Sequence, residues 1–386
     1  MNLKSTYVSP KAKGKVSYNF QESKLGPDFA KEKLADFKKL INSSQSFTVV
    51  SMPGVGVSYF LKYLVSQDFA YFVYVDLYNL PSLNLHEFYR MFLRDLGGNP
   101  SGKSDEQVFI DTKEILKKLT TNYEKIVVTF SRFDSLKKAF DKNFLSNLQS
   151  LTTLSAKIML IFTSIKPLDE LTPEAVSGGN LAFYSKILYF KPYSGTDLKK
   201  LFALDHTLKA HPNIDQLIES SGGHNQLLHI FLNSHKQNNL LLDKFVRLQL
   251  KDLYDYLDYA QKKQVQKIAL GKSVEEVDEY LLGVGYVIQD KTQTRLFSPL
   301  LAEYIKTNLP HKLPAKEAKL FKLLRNNMGK VVAKDEIFQS VWGESQDATD
   351  WALDALIYRL RNSQFMKSHG YVIESHKKVG YTLIQI

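Results

Sequence analysis

The chain has 386 residues, of which 44% are hydrophobic and 24% are charged, and its net charge is +11. This length and composition predict a soluble protein of roughly two to four domains. The charge favours a polyanionic partner, nucleic acid above all, although a basic surface also serves solubility. Cysteine is absent, which excludes disulfides and thiolate metal sites. The first 18 residues hold no apolar run of the kind that a signal peptide needs, and we find no uncharged apolar stretch of about 18 residues. We therefore expect a cytoplasmic protein without a membrane partner.

The chain begins with a lysine-rich segment, residues 1–18, that predicts a flexible basic tail. Residues 19–168 then alternate helical patterns with short apolar runs, which is typical of a parallel sheet covered by helices. The runs that predict buried strands are SFTVVSM, AYFVYVDL, KIVVTFS and KIMLIFTS, and ILYFKPYS is a candidate fifth strand. We therefore predict an α/β domain over residues 19–168.

The remainder of the chain predicts smaller helical domains. Helical patterns over residues 169–239 indicate a helical lid. Helices followed by a β-hairpin over residues 240–308 indicate a first winged helix with a structural or interdomain role. A proline-bounded linker, residues 309–314, leads to the same plan over residues 315–386, which predicts a second winged helix.

A glycine-rich loop follows the first predicted strand and precedes a helix. Its sequence, SMPGVGVS, has the spacing of a phosphate-binding loop, with Gly54 and Gly56 free to turn backbone N–H groups toward a phosphate. Ser58 occupies the position where a hydroxyl would hold Mg²⁺. Val57, however, occupies the lysine position and cannot neutralise a phosphate.

The carboxylates needed for ATP hydrolysis are also missing. In the strand KIVVTF, the positions expected to carry a magnesium-binding aspartate and a catalytic glutamate carry Ser131 and Arg132. Neither side chain can anchor Mg²⁺ through a carboxylate or act as a base near neutral pH. Asp134 should project from the following turn. We therefore expect no enzymatic activity and no cofactor, with either a structural turn or nucleotide binding without hydrolysis at the loop.

Residues 20–240 resemble AAA+/STAND-type P-loop ATPases of the archaeal-ATPase and origin-recognition kind. The stretches that carry the resemblance are IVVTFSRFDSL, LIFTSIKPL, ILYFKPYSGTDLKKLF and SGGHNQLLHIF. The last one resembles a GGHP motif whose proline packs beside the adenine, but Asn225 replaces that proline. The degenerate nucleotide site implied by the resemblance comprises Gly54, Gly56, Val57, Ser58, Ser131, Arg132 and Asn225.

The C-terminal segment carries the most specific pattern. A predicted helix from Thr349 places Leu353, Ile357 and Leu360 on one face at spacings of four and three residues. The segment resembles the OmpR/PhoB-type winged-helix domain of bacterial response regulators in GKVVAKDEIFQSVWGE, ATDWALDALIYRLR and YVIESHKKVGYTL. In a winged helix the third helix enters the major groove of DNA.

The resemblance implies a set of DNA contacts. Asp354 and Arg359 match positions that read bases, whereas Tyr358, Arg361 and Lys377 match positions that contact phosphates. Trp351 replaces a phosphate-binding arginine, Leu356 replaces a histidine, and Lys378 adds a charge to the wing. The predicted DNA-binding residues are Trp351, Asp354, Tyr358, Arg359, Arg361, Lys377 and Lys378.

The sequence thus predicts an α/β P-loop NTPase-like domain with a helical lid, followed by two winged-helix (α+β) domains. The expected function is that of a non-catalytic transcriptional regulator, in which a pseudo-ATPase body serves as scaffold or sensor and the C-terminal winged helix binds double-stranded DNA. Two alternatives remain: a STAND-like nucleotide-binding switch without hydrolysis, and an inactive ATPase paralogue in a DNA-associated assembly. Whether a homodimer or a partner protein is involved is left open.

Overall fold

The chain divides into two compact units, the N-terminal unit (residues 1–306) and the C-terminal unit (residues 307–386). The computed structural model describes residues 18–204, 212–236, 239–290, 293–308, 313–343, 348–363, 365–366, 370–377 and 379–385. The predicted basic tail lies outside the described residues except for Tyr18, and residues 309–312 of the predicted linker lie outside them as well.

A parallel sheet of five strands forms the centre of the N-terminal unit. The strands are β1 (Phe47–Ser51), β2 (Tyr71–Asp76), β3 (Ile126–Ser131), β4 (Ile158–Ser164) and β5 (Ile187–Phe190). Their order is β2-β3-β4-β1-β5, and every pair is parallel. β1, β3 and β4 are buried along their whole length, because helices cover both faces of the sheet. The sheet confirms the predicted α/β fold.

Seven helices of this part of the described chain connect or cover the strands. They are α1 (Lys31–Asn42), α2 (Val57–Val65), α3 (Leu85–Asp95), α4 (Asp105–Asn122), α5 (Lys142–Thr152), α6 (Leu168–Leu171) and α7 (Gly179–Tyr184). A cluster of buried aromatic rings joins α3 and α5 to the sheet. The ring centre of Phe88 in α3 lies 5.2 Å from that of Phe144 in α5 and 5.4 Å from that of Phe130 in β3. Burial of such large rings is a major contribution to core stability.

The helical lid follows the sheet directly. Its helices are α8 (Gly195–Phe202), α9 (Ile214–Ser221) and α10 (Asn225–Leu232). The predicted lid began too early, because residues 169–239 include β5, which pairs with β1 through Thr48 and Ile187 and through Ser51 and Phe190. The α/β sheet therefore extends to Phe190. β5 is a short, half-buried strand at the edge of the sheet. Its four residues therefore give only a weak sequence signal for the boundary between the sheet and the lid.

The first winged-helix segment belongs to the same unit. It contains α11 (Lys244–Asp255), α12 (Tyr259–Ala269), α13 (Glu279–Gly283), the antiparallel strands β6 (Val287–Gln289) and β7 (Thr294–Leu296), and α14 (Pro299–Asn308). The hydroxyl of Tyr280 donates to the carbonyl of Ile165 at 2.9 Å, and the ammonium of Lys166 lies 3.8 Å from the centre of the Tyr280 ring. These contacts attach α13 to the chain that follows β4.

The C-terminal unit is a winged helix with a three-stranded sheet. Its elements are α15 (Ala315–Asn326), β8 (Val332–Ala333), α16 (Lys334–Val341), α17 (Asp350–Asn362), β9 (Tyr371–His376) and β10 (Gly380–Gln385), with strand order β8-β10-β9. Sequence patterns predicted the three helices and the terminal hairpin but missed the two-residue strand β8. The backbone of β8 approaches Gly380 so closely that a Cβ there would lie 1.9 Å from the carbonyl oxygen of Val332.

Candidate nucleic-acid interface and degenerate nucleotide site

The glycine-rich loop between β1 and α2 has the backbone shape that its sequence predicts. Gly54 has a φ of 73° and Gly56 a φ of 106°, in the left-handed region that glycine adopts without strain. α2 begins immediately after Gly56. The side chain of Val57 is buried in the first turn of α2. The lysine position of the loop is therefore occupied by an apolar side chain that belongs to the core.

The lid and Tyr193, which precedes the lid, are bonded to this loop through three of the loop's carbonyl groups. The Nε2 of His224 donates to the carbonyl of Pro53 at 2.7 Å, and the backbone N–H of Gln226 donates to that of Gly54 at 3.0 Å. The hydroxyl of Tyr193 donates to the carbonyl of Gly56 at 2.9 Å. The loop thus joins β1, α2 and the N-terminus of α10 in one hydrogen-bonded structure.

Two residues of the lid motif, Asn225 and Gln226, pack closely against the same loop. A Cβ at residue 56 would lie 3.0 Å from the Cβ of Asn225, and one at residue 54 would lie 2.0 Å from the Oε1 of Gln226. Asn225 is buried and its side-chain nitrogen has no hydrogen-bond partner among the described residues. The position where the resemblance implies an adenine-packing proline is therefore packed against the loop itself.

His224 is held as a neutral imidazole. Its Nε2 donates to Pro53, while its Nδ1 accepts from the backbone N–H of Leu227 at 3.2 Å, which caps α10. Complete burial lowers the pKa of His224 to about 4, because a buried charge loses the solvation it has in water. These two bonds fix one tautomer and make His224 a link between the lid and the loop.

The end of β3 meets the loop, but it brings no carboxylate there. The Oγ of Ser131 lies 3.5 Å from the Oγ of Ser58, so the end of β3 is adjacent to the first turn of α2. Arg132 follows in a left-handed conformation, with a φ of 59°. Its guanidinium contacts Asp76 at 3.3 Å and covers the ring of Tyr78 at 4.6 Å. Arg132 is therefore engaged at the end of β2.

Asp134, the nearest acidic residue after β3, is also engaged elsewhere. It lies in the 3₁₀ segment Phe133–Ala139, and its carboxylate accepts from the backbone N–H of Ile165 at 3.3 Å. Burial raises the pKa of Asp134. In the part of the chain that the structure describes, no group of three or more histidine, aspartate or glutamate side chains is placed to hold a metal ion.

The second candidate site is the surface of α17. Thr349 caps this helix, since its Oγ1 accepts from the backbone N–H of Ala352 at 3.1 Å. The inner face buries Leu353, Leu356, Ile357 and Leu360. The outer face carries Trp351, which is 81% exposed, and Tyr358, which is 69% exposed. Leu356, at the histidine position of the resemblance, is fully buried, so it cannot contact DNA.

The two predicted base-reading residues of α17 both hold a partner within the C-terminal unit. The Nε of Arg359 donates to the Oε1 of Glu317 at 2.8 Å, and the side chain of Glu317 is only 7% exposed. Asp354 accepts from the hydroxyl of Tyr381 at 2.9 Å. Burial, and after it this hydrogen bond, raises the pKa of Tyr381. Both side chains are thus held in fixed orientations.

The predicted phosphate contacts lie on the helix and the wing. Arg361 donates through Nε to the carbonyl of Ile373 at 3.0 Å and through its terminal nitrogen to the Oγ of Ser375 at 2.6 Å, which attaches α17 to β9. Lys377 is exposed in the turn between β9 and β10. Lys378, the other predicted wing residue, lies outside the described residues.

Sequence reasoning missed three residues that orient this surface: Glu317, Lys334 and Tyr381. Lys334 bonds Asp350 at 2.6 Å near the start of α17. Glu317 had a detectable pattern, because it precedes Leu320, Phe321 and Leu324 by three, four and seven residues and so belongs to the buried face of α15. An acidic residue on such a face requires a partner.

No helix among the described residues has the length and hydrophobicity needed to cross a membrane.

Comparisons with known proteins give a family match for the C-terminal unit and fold similarities for the chain. Residues 308–383 match the family model described as "Transcriptional regulatory protein, C terminal". No curated protein matches the chain. Among solved structures, the chain is similar to the Walker-type ATPase of Pyrococcus abyssi, with a TM-score of 0.50 and 14% identity over 75% of this chain and 98% of that one. This similarity shows the fold alone.

Two further solved structures align with lower scores. The ORC1 protein of Aeropyrum pernix in complex with DNA aligns with a TM-score of 0.41 and 12% identity, over 95% of this chain and 92% of that one. The RuvB Holliday junction branch migration motor of Thermotoga maritima aligns with a TM-score of 0.35 and 14% identity, over 76% and 100%. The family match and the similarity to the Walker-type ATPase thus show an ATPase-like fold joined to a C-terminal domain of the transcriptional-regulator kind.

Proposed function

We propose that this protein is a transcriptional regulator that binds duplex DNA through its C-terminal unit and does not hydrolyse ATP. The observation that carries the proposal is the family match of residues 308–383, together with the exposed outer face of α17 and the exposed wing residue Lys377. A helix that can enter the major groove beside a wing that can meet the backbone is the arrangement by which winged helices bind DNA.

The wing supplies the direct test of DNA binding. Lys377→Ala removes an exposed cation that has no ion-pair or hydrogen-bond partner among the residues described for the C-terminal unit, so the fold should be unaffected. We expect weaker binding to every duplex and a decrease of about 1 in the slope of log affinity against log salt, because one phosphate contact is lost. Gel-shift titration of the full chain at several salt concentrations measures both quantities.

A matched control separates this effect from a change in total charge. Lys272→Ala removes one exposed cation from the N-terminal unit, so it changes the net charge equally and should leave the salt slope unaltered. Equal slopes for the parent protein and for Lys377→Ala would contradict the proposed role of the wing. Absence of duplex binding by the parent protein at low salt would refute the function itself.

The proposal that ATP is not hydrolysed rests on the side chains at the loop. Val57 is buried in α2, Ser131 presents a hydroxyl to Ser58, and Arg132 bonds Asp76. Catalysis of phosphoryl transfer depends on cations and carboxylates positioned around the nucleotide. Val57 and Ser131 supply neither, and the one cation, Arg132, is paired with Asp76 at the end of β2. The N-terminal unit then serves as a scaffold or sensor for the DNA-binding unit.

One observation favours the second candidate function, a nucleotide-binding switch without hydrolysis. The loop retains its left-handed glycines and the helix that begins at Val57, which together can bind phosphate weakly. We nevertheless expect no rise in melting temperature with millimolar Mg-ATP or Mg-ADP, because Val57 occupies the loop position whose lysine would bind the phosphates. A saturable rise measured by differential scanning fluorimetry would favour the switch over the scaffold.

A further inference from the structure

The outer face of α17 is unusual in that its charged side chains are already paired within the C-terminal unit. The helix carries four of them. Asp350 bonds Lys334, Asp354 bonds Tyr381, Arg359 bonds Glu317, and Arg361 bonds Ile373 and Ser375. Any contact of these side chains with a base must therefore share or replace an existing partner.

Two aromatic side chains of the same helix are free of such partners. Among the described residues, the structure gives neither Trp351 nor Tyr358 a side-chain hydrogen bond or a ring contact, and they are 81% and 69% exposed. Residues seven positions apart on an α-helix lie almost on one line, about 10.5 Å apart along the axis. Ala355, half-buried, lies between them on the same line. The most exposed line of α17 is thus aromatic and apolar.

This line fits one chemical feature of the major groove. Thymine presents a 5-methyl group there, and apolar side chains are the ones that contact it. A separation of about 10.5 Å corresponds to about three base pairs of B-DNA. The resemblance implies phosphate contacts at the positions of Trp351 and Tyr358, but both carry exposed rings here. We propose that these two rings instead determine specificity by packing against the 5-methyl groups of two thymines about three base pairs apart. This inference rests on the proposed DNA-binding function.

The charges around this line favour DNA as its occupant. Arg361 and Lys377 are exposed, and cations of this kind meet backbone phosphates. The position of Trp351 also agrees, since it is the second residue of α17 and the N-terminal residues of a recognition helix meet base edges. Phosphates then hold the helix in the groove while the rings read the methyl groups.

Methyl removal from the DNA tests the proposal. Binding sites are first selected from a random duplex library with the full chain, and each thymine of the selected duplex is then replaced singly by deoxyuridine. This change removes one methyl group and keeps every hydrogen-bonding edge. We expect about a fourfold loss of affinity at two positions about three base pairs apart, and little change at the others.

Variants assign each position to a side chain. Trp351→Ala should abolish the difference between thymine and uracil at one of the two positions, and Tyr358→Ala at the other. Both rings are exposed, and neither has a hydrogen-bond or ring partner within the part of the chain that the structure describes, so the folded structure should persist, as circular dichroism can verify.

The possible outcomes distinguish this inference from the proposed function. If no duplex is selected, DNA binding itself is refuted. If a duplex is bound but thymine and uracil are equivalent throughout, DNA binding stands and the methyl readout is overturned. The readout is equally overturned if Trp351→Ala and Tyr358→Ala weaken the thymine and uracil duplexes alike, or if they leave both unchanged.

Discussion

Replacement of Gly223 by alanine is expected to destabilise the N-terminal unit by about 2–5 kcal/mol. Gly223 has a φ of 85°, and a Cβ there would lie 2.1 Å from the backbone oxygen of Tyr193. The substitution therefore incurs the cost of a left-handed conformation and also forces the lid away from Tyr193. Since Tyr193 bonds the loop at Gly56, the displacement would reach the glycine-rich loop.

Gly271→Ala is the matched control for this experiment. Gly271 also has a positive φ, 72°, but a Cβ there would meet nothing within 4 Å, so the control incurs only the backbone cost of about 1–2 kcal/mol. Urea unfolding followed by far-UV circular dichroism compares the two. Both tryptophans, Trp342 and Trp351, lie in the C-terminal unit, so tryptophan fluorescence should report no change. A cost for Gly223→Ala no larger than that of the control would contradict the expectation.

The stability of the N-terminal unit should fall in acid because of His224. Burial lowers the pKa of His224 to about 4 from its ordinary value of 6.5. Between pH 6.5 and 4 the unfolded chain binds a proton at His224 that the folded chain does not bind. The contribution of neutral His224 to the free energy of unfolding is therefore complete above pH 6.5 and is lost as the pH falls toward 4. The total corresponds to about 3 kcal/mol. Unfolding titrations between pH 7 and 4 measure this loss.

The comparison with His224→Asn isolates this histidine from other groups. Asparagine can cap α10 but does not titrate. Burial also raises the pKa of Asp95 to about 7. Below pH 7 the folded chain therefore binds a proton at Asp95 that the unfolded chain does not bind, so Asp95 increases the free energy of unfolding as the pH falls. The difference between parent and variant cancels this contribution. Parallel curves for the two proteins over this pH range would show that His224 is not responsible.

Much of the fold could be predicted because the local sequence determines it strongly. The strands β1, β3 and β4 are buried on both faces, so they appear in the sequence as continuous apolar runs. The helices of the C-terminal unit have a periodic apolar face. β8 was missed because two residues carry no periodicity, and the start of the lid was misplaced because β5 is short and half-buried.

The candidate sites were predictable only in part. The sequence assigned Ser58 and Ser131 to one site. Their hydroxyls lie 3.5 Å apart because Ser131 ends β3 and the loop that leads to Ser58 follows β1, at the same edge of the parallel sheet. It could not predict that His224 bonds Pro53, because the two residues are distant in the chain and depend on how the lid docks. The pairing of Arg359 with Glu317 could likewise not be predicted, because it depends on how α15 packs against α17.

The order of the strands also affects how the protein is made. β1 is synthesised first, but its two neighbours in the sheet, β4 and β5, begin only at residues 158 and 187. At about 5–20 residues per second, a growing chain waits on the order of ten seconds before β1 can pair. During this time an apolar strand with two open edges is exposed on the ribosome, as β2 and β3 pair with each other. Chains that stop before residue 158 never acquire either partner for β1.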